Sequence, residues 1–404
     1  MAERRRARIY APFCSFPPVE GASQVIVEQA RGLDSLGFDV EVLTWKGKIP
    51  KSGPAEAFRF KRLGNLPEEE SRLSRMLRVG TSFARRTPSP EAYHYPLDPS
   101  LLDDLKELTK NPAEIGIYHF SFSHHWLSQG YSGGERKKFA HYLNLESELA
   151  SLRAEKSRSP LFQFMHRGNA RALSKNEKAL GKWVDEIWFL SPKDQATWQA
   201  SAPSGKGRFV GPCYSNEVYL KRRARFLSRK KAERDAVTLG FAAALDFQPN
   251  IESLGWLLTS LAPALMKESF EGKLLIAGRK MSSELRLQAE RFPFIQVLGF
   301  VEDLEAFWSE LTFSLAPDLG GSGVRMKTLE SIVSGVPTLC HQISESRLEA
   351  KLRKHPLLHV SDDANAWAKM IMNPLLRSSR FHYNEENTNL PGYLQAPEIY
   401  GFLR

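Results

Sequence analysis

Between Val237 and Met372, apolar runs of strand length alternate with stretches of helical spacing, and this alternation constrains the fold more than any other feature. The strand-like runs are Val237–Ala243, Leu274–Ala277, Ile295–Leu298, Thr312–Ala316, Thr338–Cys340 and Leu357–Val360. Helical stretches separate or follow them at 253–266, 282–291, 303–310, 325–334, 344–353 and 363–372. Short continuous apolar strands joined by helices mean a parallel sheet buried on both faces. Ligands of such sheets bind outside the carboxyl ends of the strands. That rule puts Ala244 to Asn250, Gly278-Arg279, Gly299 to Val301 and the 317–324 loop on one rim.

The 317–324 loop is the chemically informative part of that rim. The run Leu311 to Ala316 ends at Pro317, and Gly320, Gly321 and Gly323 follow. Glycine turns this tightly while letting backbone amides approach a ligand. Val324 to Ser334 then has helical spacing, with Val324, Thr328, Leu329, Ile332 and Val333 along one side, and Gly335 and Pro337 stop it. Strand, glycine turn and helix N-terminus together make an anion site, with free N–H groups and about half a positive charge from the helix dipole. Glu330 lies in the second turn, and helical side chains lean toward the N-terminus, so its carboxylate can reach back to accept from sugar hydroxyls. A surface Glu after an ordinary loop is the plainer alternative. Three glycines, Lys327 and Glu330 in one strand-turn-helix unit favour a site.

A chain of 404 residues suits two domains, and 42% hydrophobic with 25% charged residues is a globular balance. The net charge of +10 is concentrated: residues 221–235 hold eight basic and two acidic side chains. Two readings of that run stand, a solvated linker and a segment that docks on acidic lipid headgroups. Without aromatic interleaving or a nucleic-acid module, no nucleic-acid partner is expected. Cys14, Cys213 and Cys340 form neither a metal pattern nor a disulfide framework. The basic N-terminus is followed at once by Pro12 and makes a poor signal peptide, and no apolar run has membrane-span length, so the expected location is cytoplasmic, peripheral on the inner face of a membrane where the basic segments dock.

The first half repeats the strand–helix order less regularly. Ala7 to Pro12 reads as a strand, Ser23 to Leu36 as a helix closed by Gly37, Val40 to Trp45 as the next strand and Ala57 to Leu63 as another. Glu68 to Thr87 reads as a basic amphipathic helix (Arg72, Arg75, Arg78, Arg85, Arg86), either a solvated face or a surface that meets membrane or phosphate. Ile115 to Phe120 is a buried-type strand carrying His119 at its end, with His124 as a rival functional imidazole. Strands at Phe139–Asn144, Glu186–Ser191 and Arg208–Pro212 complete this half, and Ser191 is placed to cap the helix of Asp194 to Gln199. No G-x-G-x-x-G follows the first strand, which counts against a nicotinamide enzyme. No Cys or Glu stands at zinc-ligand spacing beside the histidines, so no metal is expected.

Pro317-Asp-Leu-Gly-Gly-Ser-Gly-Val-Arg-Met-Lys-Thr-Leu-Glu330, followed by Pro337, resembles the donor-binding signature of group-1, family-4 glycosyltransferases in its glycine-rich form. The resemblance implies a GT-B fold: two Rossmann-like, doubly wound domains facing across a cleft. Their expected extents are 1–210 on the acceptor side and 237–375 on the nucleotide-sugar side, with a basic linker at 211–236 and a tail at 376–404 returning to the first domain. It implies retaining transfer of a hexose from a UDP- or GDP-linked sugar to a glycan, lipid-linked or protein acceptor, with no metal or other cofactor. By the same resemblance Gly320, Gly321, Ser322, Gly323, Val324, Arg325 and Lys327 meet the donor diphosphate, with Gly21 near it, and Glu330 binds the ribose. Gly278, Arg279, Phe300 and Val301 stand at the base, Asp246 and Asn250 stand on the donor rim, and His119 lines the reaction site as the catalytic-group candidate. The chain departs from the family at Ser322, where many members carry Glu, at Ala22 in place of a second glycine, and at Leu143 in place of His. The Arg and Lys that many members place after the first strand of the second domain are also missing. Those departures motivate a second reading: a GT-B-fold protein that binds a nucleotide-sugar or a partner and no longer transfers.

Overall fold

The computed structural model describes residues 4–46 (17 and 19 excepted), 58–66, 87–202, 205–214, 237–376 and 400–403. By internal contacts, Met1–Ser215 with Gly321–Val324 and Leu394–Arg404 form one unit, and Asn216–Gly320 with Arg325–Tyr393 form the other. The basic helix expected at 68–87 lies outside the described residues except for Thr87, as does the basic run 221–235 and most of the tail.

The first unit is built on seven parallel strands: β1 (Arg6–Phe13), β2 (Asp39–Lys46), β3 (Arg59–Arg62), β4 (Ile115–His119), β5 (Lys137–Tyr142), β6 (Glu186–Phe189) and β7 (Gly207–Phe209). Their spatial order is β3-β2-β1-β4-β5-β6-β7. Ala7, Ile9 and Ala11 of β1 and Ile115 and Ile117 of β4 are buried in one core, against Ile26, Val27, Ala30 and Leu33 of the helix Gly21–Ser35. That helix stops where Gly37 takes a φ of +90°, a conformation that costs glycine little. Tyr400 is buried in the same core. The order in which strands are added reverses between β1 and β4, so the crevice at the carboxyl ends of those two strands is the switch point where sheets of this kind bind ligands.

The second unit has six parallel strands: β8 (Thr238–Ala242), β9 (Lys273–Ala277), β10 (Ile295–Gly299), β11 (Phe313–Ala316), β12 (Thr338–Cys340) and β13 (Leu358–Val360), in the order β10-β9-β8-β11-β12-β13. Every strand expected here is present, within a few residues at each end. The helix expected over 253–266 begins earlier, at Gln248, because Pro249 suits a first helical turn. It passes through a π-helical segment, Leu257–Leu261, into Ala262–Lys267. Pro263 accounts for that distortion: it offers no N–H and its ring crowds the carbonyl a turn earlier. The switch point of this sheet lies between β8 and β11, and β11 is the strand that feeds the glycine loop. Among the described residues no helix is long and apolar enough to cross a membrane.

Candidate functional site

In the second unit the loop after β11 is held from below by one buried carboxylate. Asp318 accepts from Arg325 through Nε and Nη2, at 2.7 Å each, and from the Gly320 amide at 3.2 Å and Ser344 Oγ at 3.2 Å. Burial alone would raise its pKa, but the charge and hydrogen bonds of Arg325, with the charge of Arg347, hold it below the usual carboxylate range. His341 Nδ1 lies 2.8 Å from the Asp318 carbonyl, and Ser253 Oγ donates to the Pro317 carbonyl at 2.8 Å. The Arg325 fork also donates to the Gly320 carbonyl at 2.6 Å. Arg325 was expected at the diphosphate; its guanidinium lies on Asp318 and Gly320. Its role there is to fix the entry to the loop.

Gly320, Gly321 and Gly323 have φ of +143°, +123° and +79°, where a side chain would be strained. The helix after them is Met326–Val333, and Glu330 is a half-exposed residue of its second turn. Lys327 Nζ lies 4.5 Å from the centre of the Phe241 ring, on β8, and 3.4 Å from Asn250 Oδ1. Burial of the ammonium, reinforced by Arg325 and opposed by Asp318, lowers its pKa to about 7. Asn250 Nδ2 donates to the Ala244 carbonyl at 2.9 Å, so the loop after β8 is tied to Lys327 across the switch point. Asp246 pairs with Lys280 at 2.8 Å on the same rim.

The other rim turns meet as the strand rule requires. The Gly278 amide donates to the Gly299 carbonyl at 2.7 Å, which joins the turns after β9 and β10. A Cβ at Gly278 would come within 2.1 Å of the Ala243 carbonyl, so this close approach needs glycine. Arg279 is half-buried, Phe300 is exposed, and Val301 packs against the apolar cluster that contains Leu275, Phe307 and Leu311.

In the first unit, polar groups collect at the carboxyl ends of β4, β5 and β6. Glu177, buried, accepts from Ser121 Oγ at 3.3 Å, the Ser147 amide at 3.1 Å and Ser147 Oγ at 2.5 Å. Burial pushes its pKa up to about 7, and does the same for Glu146. Ser191 caps the helix Pro192–Gln199 by accepting from the Asp194 amide. The buried Asp194 carboxylate in turn accepts from the Gly323 amide at 2.9 Å and from Ser322 Oγ at 3.0 Å. Ser322 Oγ also accepts from the Leu145 amide at 2.6 Å. A Cβ on Gly323 would sit 2.5 Å from the Leu143 carbonyl and would overlap the side-chain amide of Asn144, whose nitrogen donates to the Leu143 and Ser322 carbonyls at 3.1 Å each. The glycine tip therefore carries an internal carboxylate on an amide that was expected to meet the donor diphosphate. Asp194 is the site residue sequence reasoning missed: it reads as a helix first-turn acid, and nothing local ties it to residues 322 and 323.

His119 ends β4 as expected, but its ring is fully buried and does not line an open surface. Its Nε2 donates to Gln29 Oε1 at 2.8 Å, while Gln29 Nε2 donates to His141 Nδ1 at 3.2 Å and to the Tyr400 hydroxyl at 3.1 Å. Burial, then the neighbouring His141, lowers the His119 pKa; burial takes His141 to about 3. The two imidazoles are thus a neutral, interior pair facing the helix Gly21–Ser35. The rival His124 is partly exposed, with Nδ1 3.6 Å from the buried Glu91 carboxylate and its ring edge-on to Trp183. Gly21 opens the helix after β1. Among the described residues no group of three or more His, Cys, Asp or Glu is arranged to hold a metal ion.

Two parallel α/β units with these strand orders define the GT-B class. Solved structures of that class share the fold along the whole chain. WaaG, a glycosyltransferase involved in lipopolysaccharide biosynthesis, aligns with a TM-score of 0.62 at 16% identity, over 98% of this chain and 100% of its own. Sucrose-phosphate synthase from Thermosynechococcus elongatus gives 0.62 at 17%, over 99% of each chain. HepE from Anabaena in complex with UDP-glucose gives 0.62 at 10%, over 99% and 98%. Residues 236–376 match the family model "Glycosyl transferases group 1". No curated protein matches the sequence.

Proposed function

We propose that this protein is a glycosyltransferase that moves a hexose from a nucleotide-sugar to a glycan, lipid-linked or protein acceptor, with retention. The observation that carries the reading is the position of the glycine loop: it leaves β11 at the switch point of the second sheet and opens a helix bearing Lys327 and Glu330. In this reading the amides of 320–324 receive the diphosphate, Glu330 accepts the ribose hydroxyls, and the joined turns at Gly278-Arg279 and Phe300-Val301 flank the base. Negative charge developing on the leaving diphosphate meets the helix N-terminus and Lys327, whose ammonium lies close to the loop, so the stabilisation needs no metal. UDP is the favoured nucleotide, supported by the UDP and UDP-glucose complexes of HepE, with GDP second. With the His119 ring interior, its part is to hold Gln29 and the β1–β4 edge, and His124 is the imidazole that offers a surface. Retention rests on the resemblance of the donor motif alone. The place of action is proposed as the cytoplasmic face of an anionic membrane.

A specific observation also favours the non-transferring reading: Asp194 already takes the Gly323 amide and Arg325 is spent on Asp318. Thermal shift with UDP, GDP, ADP and their sugars, followed by assay of donor-dependent nucleotide release, separates the two. A nucleotide at a hundredfold its dissociation constant adds about 2.7 kcal/mol, an easily read shift. Shift with release supports transfer, shift without release supports nucleotide binding alone, and no shift with any nucleotide refutes both of these and leaves the partner-binding form of the second reading.

A further inference from the structure

The helix Pro160–Ala179 buries Ala170, Leu173 and Glu177. At about 100° per residue these three share one face, and Leu161, Phe164, Arg171 and Lys175 share the opposite one. Leu161, Phe162 and Phe164 are 65%, 54% and 63% exposed. Leu161 and Phe164 stand together on the outward face, and Phe162, about 100° round from Leu161, adds a third exposed apolar side chain to the same first turn, so the helix tip is apolar on more than one side. Between Arg153 and Lys178 seven exposed Lys and Arg stand against one exposed acid, Glu155. An apolar helix tip with a basic collar matches an anionic bilayer, whose acyl boundary takes Leu and Phe and whose phosphates take the cations. Single-stranded nucleic acid would pair with the cations and stack on Phe162 and Phe164 but leave Leu161 without a role, and the RNA arm of the test below separates it; a protein groove would leave the collar unmatched.

We propose that the first turn of this helix, Leu161, Phe162 and Phe164, inserts into the headgroup layer of an anionic membrane, with Arg158, Arg167 and Arg171 on the lipid phosphates. The proposal rests on the membrane part of the function proposed above and assigns it to a segment other than the basic run at 221–235. It is independent of the donor site. Each basic side chain held at such a surface strengthens binding roughly fivefold.

The three native cysteines are buried, so Leu161→Cys in the full chain can be labelled selectively with an environment-sensitive dye. Leu287→Cys, at a 65% exposed position of the second unit, is the control. Vesicles of phosphatidylglycerol and phosphatidylcholine should shift the dye at 161 to the blue and leave the one at 287 unchanged, and pure phosphatidylcholine should shift neither. Arg167→Glu with Arg171→Glu should weaken co-sedimentation with the anionic vesicles about 25-fold or more, while the thermal shift with UDP stays as in the parent. A dye at 161 that stays in water while the protein still pellets overturns this surface and leaves membrane binding to other segments. No pelleting at all overturns the membrane reading without touching the donor site. A shift produced by RNA, or by raised protein concentration without lipid, likewise overturns the proposal.

Discussion

Asp194→Asn tests whether the glycine tip is a phosphate site held shut by a carboxylate. One oxygen of Asp194 accepts from both the Gly323 amide and Ser322 Oγ. Hydrogen bonds to a charged acceptor are worth about 1.5–3 kcal/mol against about 1 for neutral ones, so neutralising this acceptor weakens the pair by roughly 1–3 kcal/mol. In the ligand-free protein the melting temperature should fall by a few degrees, at about 2–4 °C per kcal/mol for a unit of this size. Part of that loss is offset, because the Asp194 charge also raises the pKa of buried Glu146. A donor diphosphate competes for the same amide and is repelled by the same charge. Removing the charge should therefore tighten UDP binding about tenfold, since 1.4 kcal/mol is one decade. Calorimetric titration of parent and variant with UDP reads this directly. Unchanged affinity would mean that the diphosphate does not use the Gly323 amide. A tenfold loss would make Asp194 a ligand for the donor, and the competition argument would fail.

Glu330→Ala should lower UDP affinity by one to two orders of magnitude, roughly, with little change in melting temperature, and the same titration checks it. Gly323→Ala puts a Cβ 2.5 Å from the Leu143 carbonyl at a φ of +79°, so it should both destabilise the protein by about 2 kcal/mol and abolish donor binding, seen together by thermal shift with and without UDP. Lys327, at about 7 when folded against about 10.4 unfolded, makes stability rise as pH climbs between those values, because the unfolded chain binds the extra proton; diphosphate should pull the folded value up, so UDP binding near pH 8 should take up protons, measured by calorimetry in buffers of different ionisation enthalpy. His119 and His141 are held neutral by burial, so stability is complete above the unfolded value of about 6.5 and falls as acid is added, down to about 3 for His141. Urea midpoints across that range should drop, and His141→Asn should flatten the slope.

The second unit was legible because its information is local. Each strand there is a short apolar run, each helix keeps its own spacing, and a parallel sheet with ligands at its carboxyl edge follows without long-range knowledge. The pinning of the loop was not legible, since Asp318 looks like an ordinary turn acid until Arg325 and Ser344 are seen to converge on it. His119 failed differently. Its place at a strand end was readable, but whether a strand-end side chain faces solvent depends on what covers it, and Gln29 on the helix after β1 and His141 on β5 cover this one.

Ser322 shows why a broken motif is a poor guide to chemistry. The resemblance leads one to look for an acid at this position, and the sequence offers a hydroxyl. The structure sets a carboxylate against that hydroxyl from Asp194, 128 residues away in the chain. A glutamate at 322 would bring a second negative charge to a buried spot already occupied by Asp194, with Glu146 near, and like charges in such a place oppose one another's ionisation. A short neutral hydroxyl that donates to Asp194 and accepts from the Leu145 amide is the side chain this environment tolerates. Serine here and aspartate there are therefore one arrangement, and Ser322→Glu is expected to disrupt the tip even though it restores the motif. Restoration of tight donor binding by Ser322→Glu together with Asp194→Asn, but not by Ser322→Glu alone, would show that the two positions share a single acidic place.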